Sequence, residues 1–186
     1  MSELSVRETS IPGLFDITIP VPGDSRGTFK ENYQEAKLRA LGLPEFHVVQ
    51  NNISTNVEVG VTRGIHAEPW NKYISVAAGR VYAAIVDLRS GDSFGRLETF
   101  ELTPERAIFV PAGCGNAFQT LEPNTVYTYL VDAHWSIEAK KLYTFCNLFD
   151  PELNIAWPIP RERAILSPDD ELHPKLADVT PMEVSQ

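Results

Sequence analysis

Short apolar runs separated by glycine and proline dominate this chain, a rhythm that predicts a mainly β protein. Between Lys72 and Arg89, the runs Tyr73-Ile74-Ser75-Val76 and Val81-Tyr82-Ala83-Ala84-Ile85-Val86 flank Ala77-Ala78-Gly79-Arg80. A glycine-containing turn of that length between two β-rich runs predicts a hairpin at the centre of a sheet. Residues 27–33, 47–54, 97–102, 107–110, 125–131 and 143–147 are rich in β-branched and aromatic side chains and predict further strands. Only residues 34–41 carry a helical pattern. The 14 prolines and 11 glycines leave little room for long helices. Six of those prolines fall within 150–181, which predicts a terminal segment of loops and short helical turns wrapped around the β core.

Composition narrows the class without changing that picture. At 186 residues, 43% hydrophobic and 22% charged, the chain fits one globular domain over 1–186, with 150–186 as a loop-rich C-terminal wrap. The formal charge of -9 repels nucleic acid and anionic membrane, so an anionic ligand must meet a local cationic patch. No apolar run approaches the roughly 18 residues that span a bilayer, and Met1-Ser2-Glu3-Leu4-Ser5 lacks the basic and apolar parts of a signal peptide. A soluble, cytoplasmic protein is expected. Cys114 and Cys146 form no C-x-x-C pair and read as packing residues.

Candidate chemistry starts with histidine spacing. The first metal motif of the cupins, G-x5-H-x-H-x3-4-E-x6-G, fits Gly60, His66, Glu68, Lys72 and Gly79 in frame, but with Glu68 at the second histidine and Lys72 at the glutamate. The second motif, P-x-G-x2-H, reads Pro111-Ala112-Gly113-Cys114-Gly115-Asn116, with Asn116 at its histidine. Only His66 remains of the expected ligands. An ammonium cannot coordinate a metal, so the frame predicts a site with no metal, in which Lys72 supplies fixed positive charge for a developing oxyanion or enolate.

The chain resembles the dTDP-4-dehydrorhamnose 3,5-epimerases, a cofactor-independent family of cupin fold. The resemblance rests on Asp24-Ser25-Arg26-Gly27-Thr28-Phe29-Lys30-Glu31, Gln50-Asn51-Asn52, Arg63-Gly64-Ile65-His66, Lys72 through Arg89, Ser93-Phe94-Gly95, Val110-Pro111-Ala112-Gly113, Asp150-Pro151 with Trp157-Pro158, and Leu166-Ser167-Pro168-Asp169-Asp170. It implies a jelly-roll barrel or sandwich with short peripheral helices. It further implies His66 as catalytic base, Asp170 as its carboxylate partner, Lys72 as the stabilising cation and Tyr129 as the acid. Arg26 and Arg63 would clamp the diphosphate. Phe29, Glu31, Gln50 and Asn52 would line the site near sugar or base. The implied substrate is dTDP-4-dehydro-6-deoxy-D-glucose, inverted at C3 and C5 through an enolate with no cofactor. The implied partners are a second copy of the chain, forming a homodimer in which each subunit helps close the other's site, and a downstream dTDP-4-dehydrorhamnose reductase.

Three departures stand against the family pattern. Asn116 replaces a histidine, keeping a hydrogen-bond donor but losing a titrating group. His134-Trp135 replaces a tyrosine pair, with Trp135 still offering a flat face to the base. Asp169 replaces a lysine. These departures leave open inversion at C3 or C5 alone, or a non-catalytic cupin that only binds a nucleotide sugar.

Overall fold

The computed structural model describes residues 3–184. Its strands are β1 (Ser5–Glu8), β2 (Phe15–Thr18), β3 (Gly23–Asp24), β4 (Gly27–Thr28), β5 (Gln50–Asn56), β6 (Thr62–Ala67), β7 (Lys72–Ala78), β8 (Val81–Asp87), β9 (Leu97–Leu102), β10 (Arg106–Val110), β11 (Cys114–Thr120), β12 (Thr125–Val131) and β13 (Thr144–Phe145). The helices α1 (Glu35–Ala40), α2 (Ile137–Lys140) and α3 (Pro168–Glu171) are short. Six strands form one sheet in the order β1-β2-β10-β7-β12-β5, and five form another in the order β13-β6-β11-β8-β9. All of these ladders are antiparallel. Among the described residues no strand pairs with members of both sheets, so the architecture is a sandwich of two open sheets.

Strand alternation assigns the apolar side chains to layers. Ile74 and Val76 of β7 pack with Ile85 of β8, Phe100 of β9, Ile108 of β10 and Phe118 of β11 in one buried cluster drawn from both sheets. Tyr73, immediately before Ile74, points the other way and packs with Leu38, Phe46 and Phe109 beneath α1. The Gln34 side chain caps α1 by accepting from Lys37 N at 2.7 Å. Leu38 anchors that helix, and burying such a side chain contributes about 1.5–3 kcal/mol. On the outside of the smaller sheet, Leu153, Leu176, Val179 and Met182 pack against Ile65, Ala67 and Val86. The C-terminal segment thus covers the strand that carries His66.

Several expectations from the sequence change here. β7 and β8 do not form a hairpin: β7 pairs with β10 and β12, β8 with β9 and β11. The turn at 77–80 carries the chain from one sheet to the other, a corner whose glycine (Gly79, φ +81°) looks the same in sequence as a hairpin turn. Of 27–33 only Gly27–Thr28 is strand, and of 143–147 only Thr144–Phe145. The strand expected at 47–54 lies at Gln50–Asn56. Strands 97–102 and 125–131 match the expectation, and the helix at 34–41 forms with its two end residues as caps.

Candidate active site

β6 and β11 lie side by side and set His66 directly opposite Asn116. β13 flanks β6 on its other edge and sets Phe145 against His66. Phe145 meets the His66 ring edge-on at a centroid distance of 5.4 Å, which limits how the imidazole can turn.

Asp170 arrives on α3. Ser167 caps this helix by accepting from Asp170 N at 3.2 Å, and Pro168 pre-sets the backbone of its first turn. The carboxylate is thereby fixed 2.9 Å from His66 Nε2, across 104 residues of sequence. Burial works against ionisation of Asp170, but the hydrogen bond and charge of His66, with His173 and Ser167 in support, hold its carboxyl below the usual range. A carboxylate on one ring nitrogen fixes the tautomer and strengthens the other nitrogen as a base.

Lys72, first in β7, reaches this corner from the other sheet. It is 1% exposed, and its ammonium contacts the Glu68 carboxylate, the Asn116 side-chain oxygen and, at 3.4 Å, the His66 carbonyl. The four positions of the metal frame therefore do converge, with the lysine nitrogen in contact with each of the other three residues. Burial pushes the ammonium down to about 7, with Cys114 acting in the opposite sense, and the Glu68 carboxylate lies against it. The cation is an ion pair behind the cavity wall, a more neutral arrangement than the sequence suggested.

These groups border a cavity of about 580 Å³ lined by Arg63, His66, Glu68, Asn116, Tyr127, Tyr129, Asp170 and His173, with Lys140 and Asp169 also on its wall. Tyr127 and Tyr129 stand on the same face of β12, two residues apart. Burial raises the Tyr129 phenol, with Arg63 opposing, so it stays protonated near neutral pH. Arg63 is exposed and donates from Nε to Asn56 Oδ1 at 3.1 Å, with its terminal nitrogens in no hydrogen bond or ion pair among the described residues. Lys140 and Asp169 face each other at 3.7 Å.

A smaller cavity of about 170 Å³ adjoins through shared Glu68 and Tyr129 and is lined by Gln50, Asn52, Trp70 and Trp135. Gln50 donates to Asn52 at 2.7 Å and accepts from Trp135 N at 3.1 Å, so these three candidates form one connected group. Arg26, Phe29 and Glu31 are not brought to either cavity within one chain. Arg26 lies on the β3–β4 ribbon, its side chain 88% exposed and paired with Asp24 at 2.6 Å. Phe29 is 68% exposed, and Glu31 pairs with Lys37 at 2.5 Å. Both border a separate cavity beside Leu38 and Tyr73.

The sequence reading missed His173. Its ring stands edge-on to His66 at 5.3 Å, and its Nε2 lies 3.9 Å from Asp170 Oδ1. Its position three residues after Asp170, in the turn that follows α3, was the available signal.

Residues 8–178 match the family described as dTDP-4-dehydrorhamnose 3,5-epimerase. RmlC from Streptococcus suis, solved in complex with dTDP-D-xylose, is similar with a TM-score of 0.93 at 45% identity, over 98% of this chain and 96% of that one. The protein RmlC homolog of Streptococcus pyogenes is 43% identical over 97% of this chain and 93% of its own length. The dTDP-4-dehydrorhamnose 3,5-epimerase of Mycobacterium tuberculosis is 32% identical over 95% of this chain and 89% of its own.

Proposed function

This chain belongs to the dTDP-4-dehydrorhamnose 3,5-epimerase family, and from that premise we propose how its own residues carry the reaction. It is an isomerase that inverts C3 and C5 of dTDP-4-dehydro-6-deoxy-D-glucose to give dTDP-4-dehydro-L-rhamnose. The C4 ketone acidifies the neighbouring C–H bonds, and loss of either proton gives an enolate. With Nε2 held by Asp170, His66 takes the proton on Nδ1, and the carboxylate stabilises the imidazolium that results. Tyr129, neutral and lining the same cavity from the other sheet, returns a proton to the opposite face at C5. Lys72 holds the Asn116 oxygen, which turns the amide N–H₂ outward as a donor for the C4 oxygen, with the lysine charge behind it.

Arg63 binds the diphosphate as a guanidinium fork. Gln50, Asn52 and Trp135 meet the nucleotide end. Arg26, Phe29 and Glu31 serve the site of a second copy of the chain in a homodimer, a reading supported by their exposure and by their separation from their own chain's cavity. The open edge strand β5 with exposed Ile53, and exposed Val57 just beyond its end, gives such a dimer a surface to bury. The chain works as one unit over 1–186, with 150–186 completing the site through Asp170, in the cytoplasm, without a cofactor. No helix among the described residues is long and apolar enough to cross a membrane.

The observation that carries this reading is the 2.9 Å contact between His66 and Asp170 in a cavity that Tyr129 and Arg63 also line. Proton NMR of the dTDP-sugar in deuterated water tests it. Exchange at both C3 and C5 is expected, and His66→Ala removes both while dTDP affinity stays nearly unchanged. Full turnover by His66→Ala would contradict the base assignment, and exchange confined to one carbon would reduce the activity to a single epimerisation.

A further inference from the structure

Beside the His66–Asp170 pair that serves the epimerisation stands His173, which the epimerisation does not use. His66 Nε2 and His173 Nε2 both point at Asp170 Oδ1, at 2.9 and 3.9 Å. One donor atom from each residue falls within 4.8 Å of the other two. A tetrahedral zinc ion with ligands at about 2.0–2.2 Å needs them about 3.3–3.6 Å apart, so the observed spacings straddle the required one. Two imidazoles and one carboxylate are the donor set of many zinc sites that keep a fourth position open.

The three side chains are also held in place independently of any ion. His173 stacks on Phe145 at 4.7 Å and 29°, and Phe145 in turn braces His66. Its side chain is 10% exposed and its Nδ1 is buried, leaving Nε2 as the nitrogen presented to Asp170. Asp170 is set by the Ser167 cap.

We propose that His66, Asp170 and His173 form an inhibitory binding site for Zn²⁺, one that closes the enzyme by occupying its base. This rests on the reading of His66 as base. The binding step balances simply: the ion accepts a lone pair from each imidazole Nε2 and from a carboxylate oxygen, and the single ring proton of neutral His66 moves from Nε2 to Nδ1 by exchange through solvent. Coordination through Nε2 leaves the remaining imidazole proton on Nδ1, so the nitrogen that must receive the substrate proton has no lone pair to do so. The ion needs neither Lys72 nor the frame around it, where an ammonium already sits. Magnesium, which favours oxygen ligands and holds its waters, is excluded by the two nitrogens.

The test titrates Zn²⁺ into the purified full chain against a chromophoric chelator, and separately follows deuterium incorporation into the dTDP-sugar. Wild type is expected to bind one Zn²⁺ and lose exchange in proportion, with recovery on adding EDTA, while Mg²⁺ at the same concentration does nothing. His173→Phe keeps a ring stacked on Phe145 but removes a ligand. It is expected to weaken Zn²⁺ binding and inhibition by at least about 10–100-fold, the range seen even for loss of a ligand's hydrogen-bond partner. Absence of binding by wild type, or equal binding by His173→Phe, overturns the proposal. If wild type binds Zn²⁺ through His173 but exchanges no deuterium, the metal site stands and the epimerase mechanism falls instead.

Discussion

Lys72 and Asn116 start from opposite sheets and meet in a hydrogen bond that spans the sandwich at the rear wall of the cavity. The same ammonium also contacts Glu68, so a single buried nitrogen joins both layers to the strand that bears His66.

Replacing that nitrogen strands a buried carboxylate. Lys72→Met is expected to cost about 3–5 kcal/mol in denaturant unfolding, because Glu68 loses its ionic partner. The companion change Glu68→Gln in the same chain should recover much of that loss. Catalysis should not recover with it: the exchange rate is expected to stay about 10²–10³-fold down, the range for removing one oxyanion donor. Recovery of both together would make Lys72 a purely structural residue.

Asp170→Asn keeps shape and removes charge. The amide cannot hold His66 in the base-competent tautomer, so kcat for exchange is expected to fall about 10²–10⁴-fold, with dTDP affinity nearly unchanged. An unchanged kcat would show that the carboxylate does not serve the base.

The same substitution has a pH signature. The folded Asp170 pKa lies below its ordinary value of 3.8, so the stability it adds is complete well above that pH and is lost as pH falls through the depressed folded value. Wild type and Asp170→Asn should therefore differ most in unfolding free energy near neutral pH and converge in acid. A gap that widens on acidification would reverse the assigned shift.

Tyr129→Phe separates abstraction from return. Deuterium exchange at C5 should persist with retention, while inversion at C5 falls sharply, because removing the proton needs only His66. Equal loss of exchange and inversion would assign Tyr129 to binding.

The hydroxyl of Tyr127 is buried and meets no partner at hydrogen-bond geometry, although the Asn116 side chain beside it favours its ionised form slightly against the burial that raises its pKa. An unpaired buried polar group costs about 1–3 kcal/mol. Tyr127→Phe should thus leave the protein equally stable or about 1 kcal/mol more stable, read as a shift in denaturant midpoint. A clear loss of stability would reveal a partner for the hydroxyl.

What the sequence disclosed, and what it hid, follows from which residues carry chemistry. α1 was legible because Gln34, Leu38 and Leu41 obey local rules of capping and periodicity. Thr125–Val131 was legible because its β-branched and aromatic residues run unbroken. β6 and β11 were not expected as strands: Arg63-Gly64 and Gly115-Asn116 interrupt their apolar pattern, and these are the strands that bear the site. His66, Lys72 and Asn116 were found through the spacing of a motif, and Asp170 and Tyr129 only through resemblance. His173 and Tyr127 are tied to the site by packing alone. Arg26, Phe29 and Glu31 cannot be joined to the cavity by any reading of one chain.

The corner at Gly79 has a kinetic consequence. By sending β7 and β8 into different layers, it denies β7 a hairpin with its neighbour in sequence and leaves it to pair with β10 and β12. Phe15 must instead find Phe109, and Asn52 must find Tyr129, before the six-stranded sheet is complete. Such distant pairings carry a large loop-closure entropy, and chains built from them fold in milliseconds to seconds. Newly made chains will therefore stay open, with β12 and its tyrosines exposed, for longer than a helical protein of this size, and the interval before β5 and β12 join is when they are most prone to self-association.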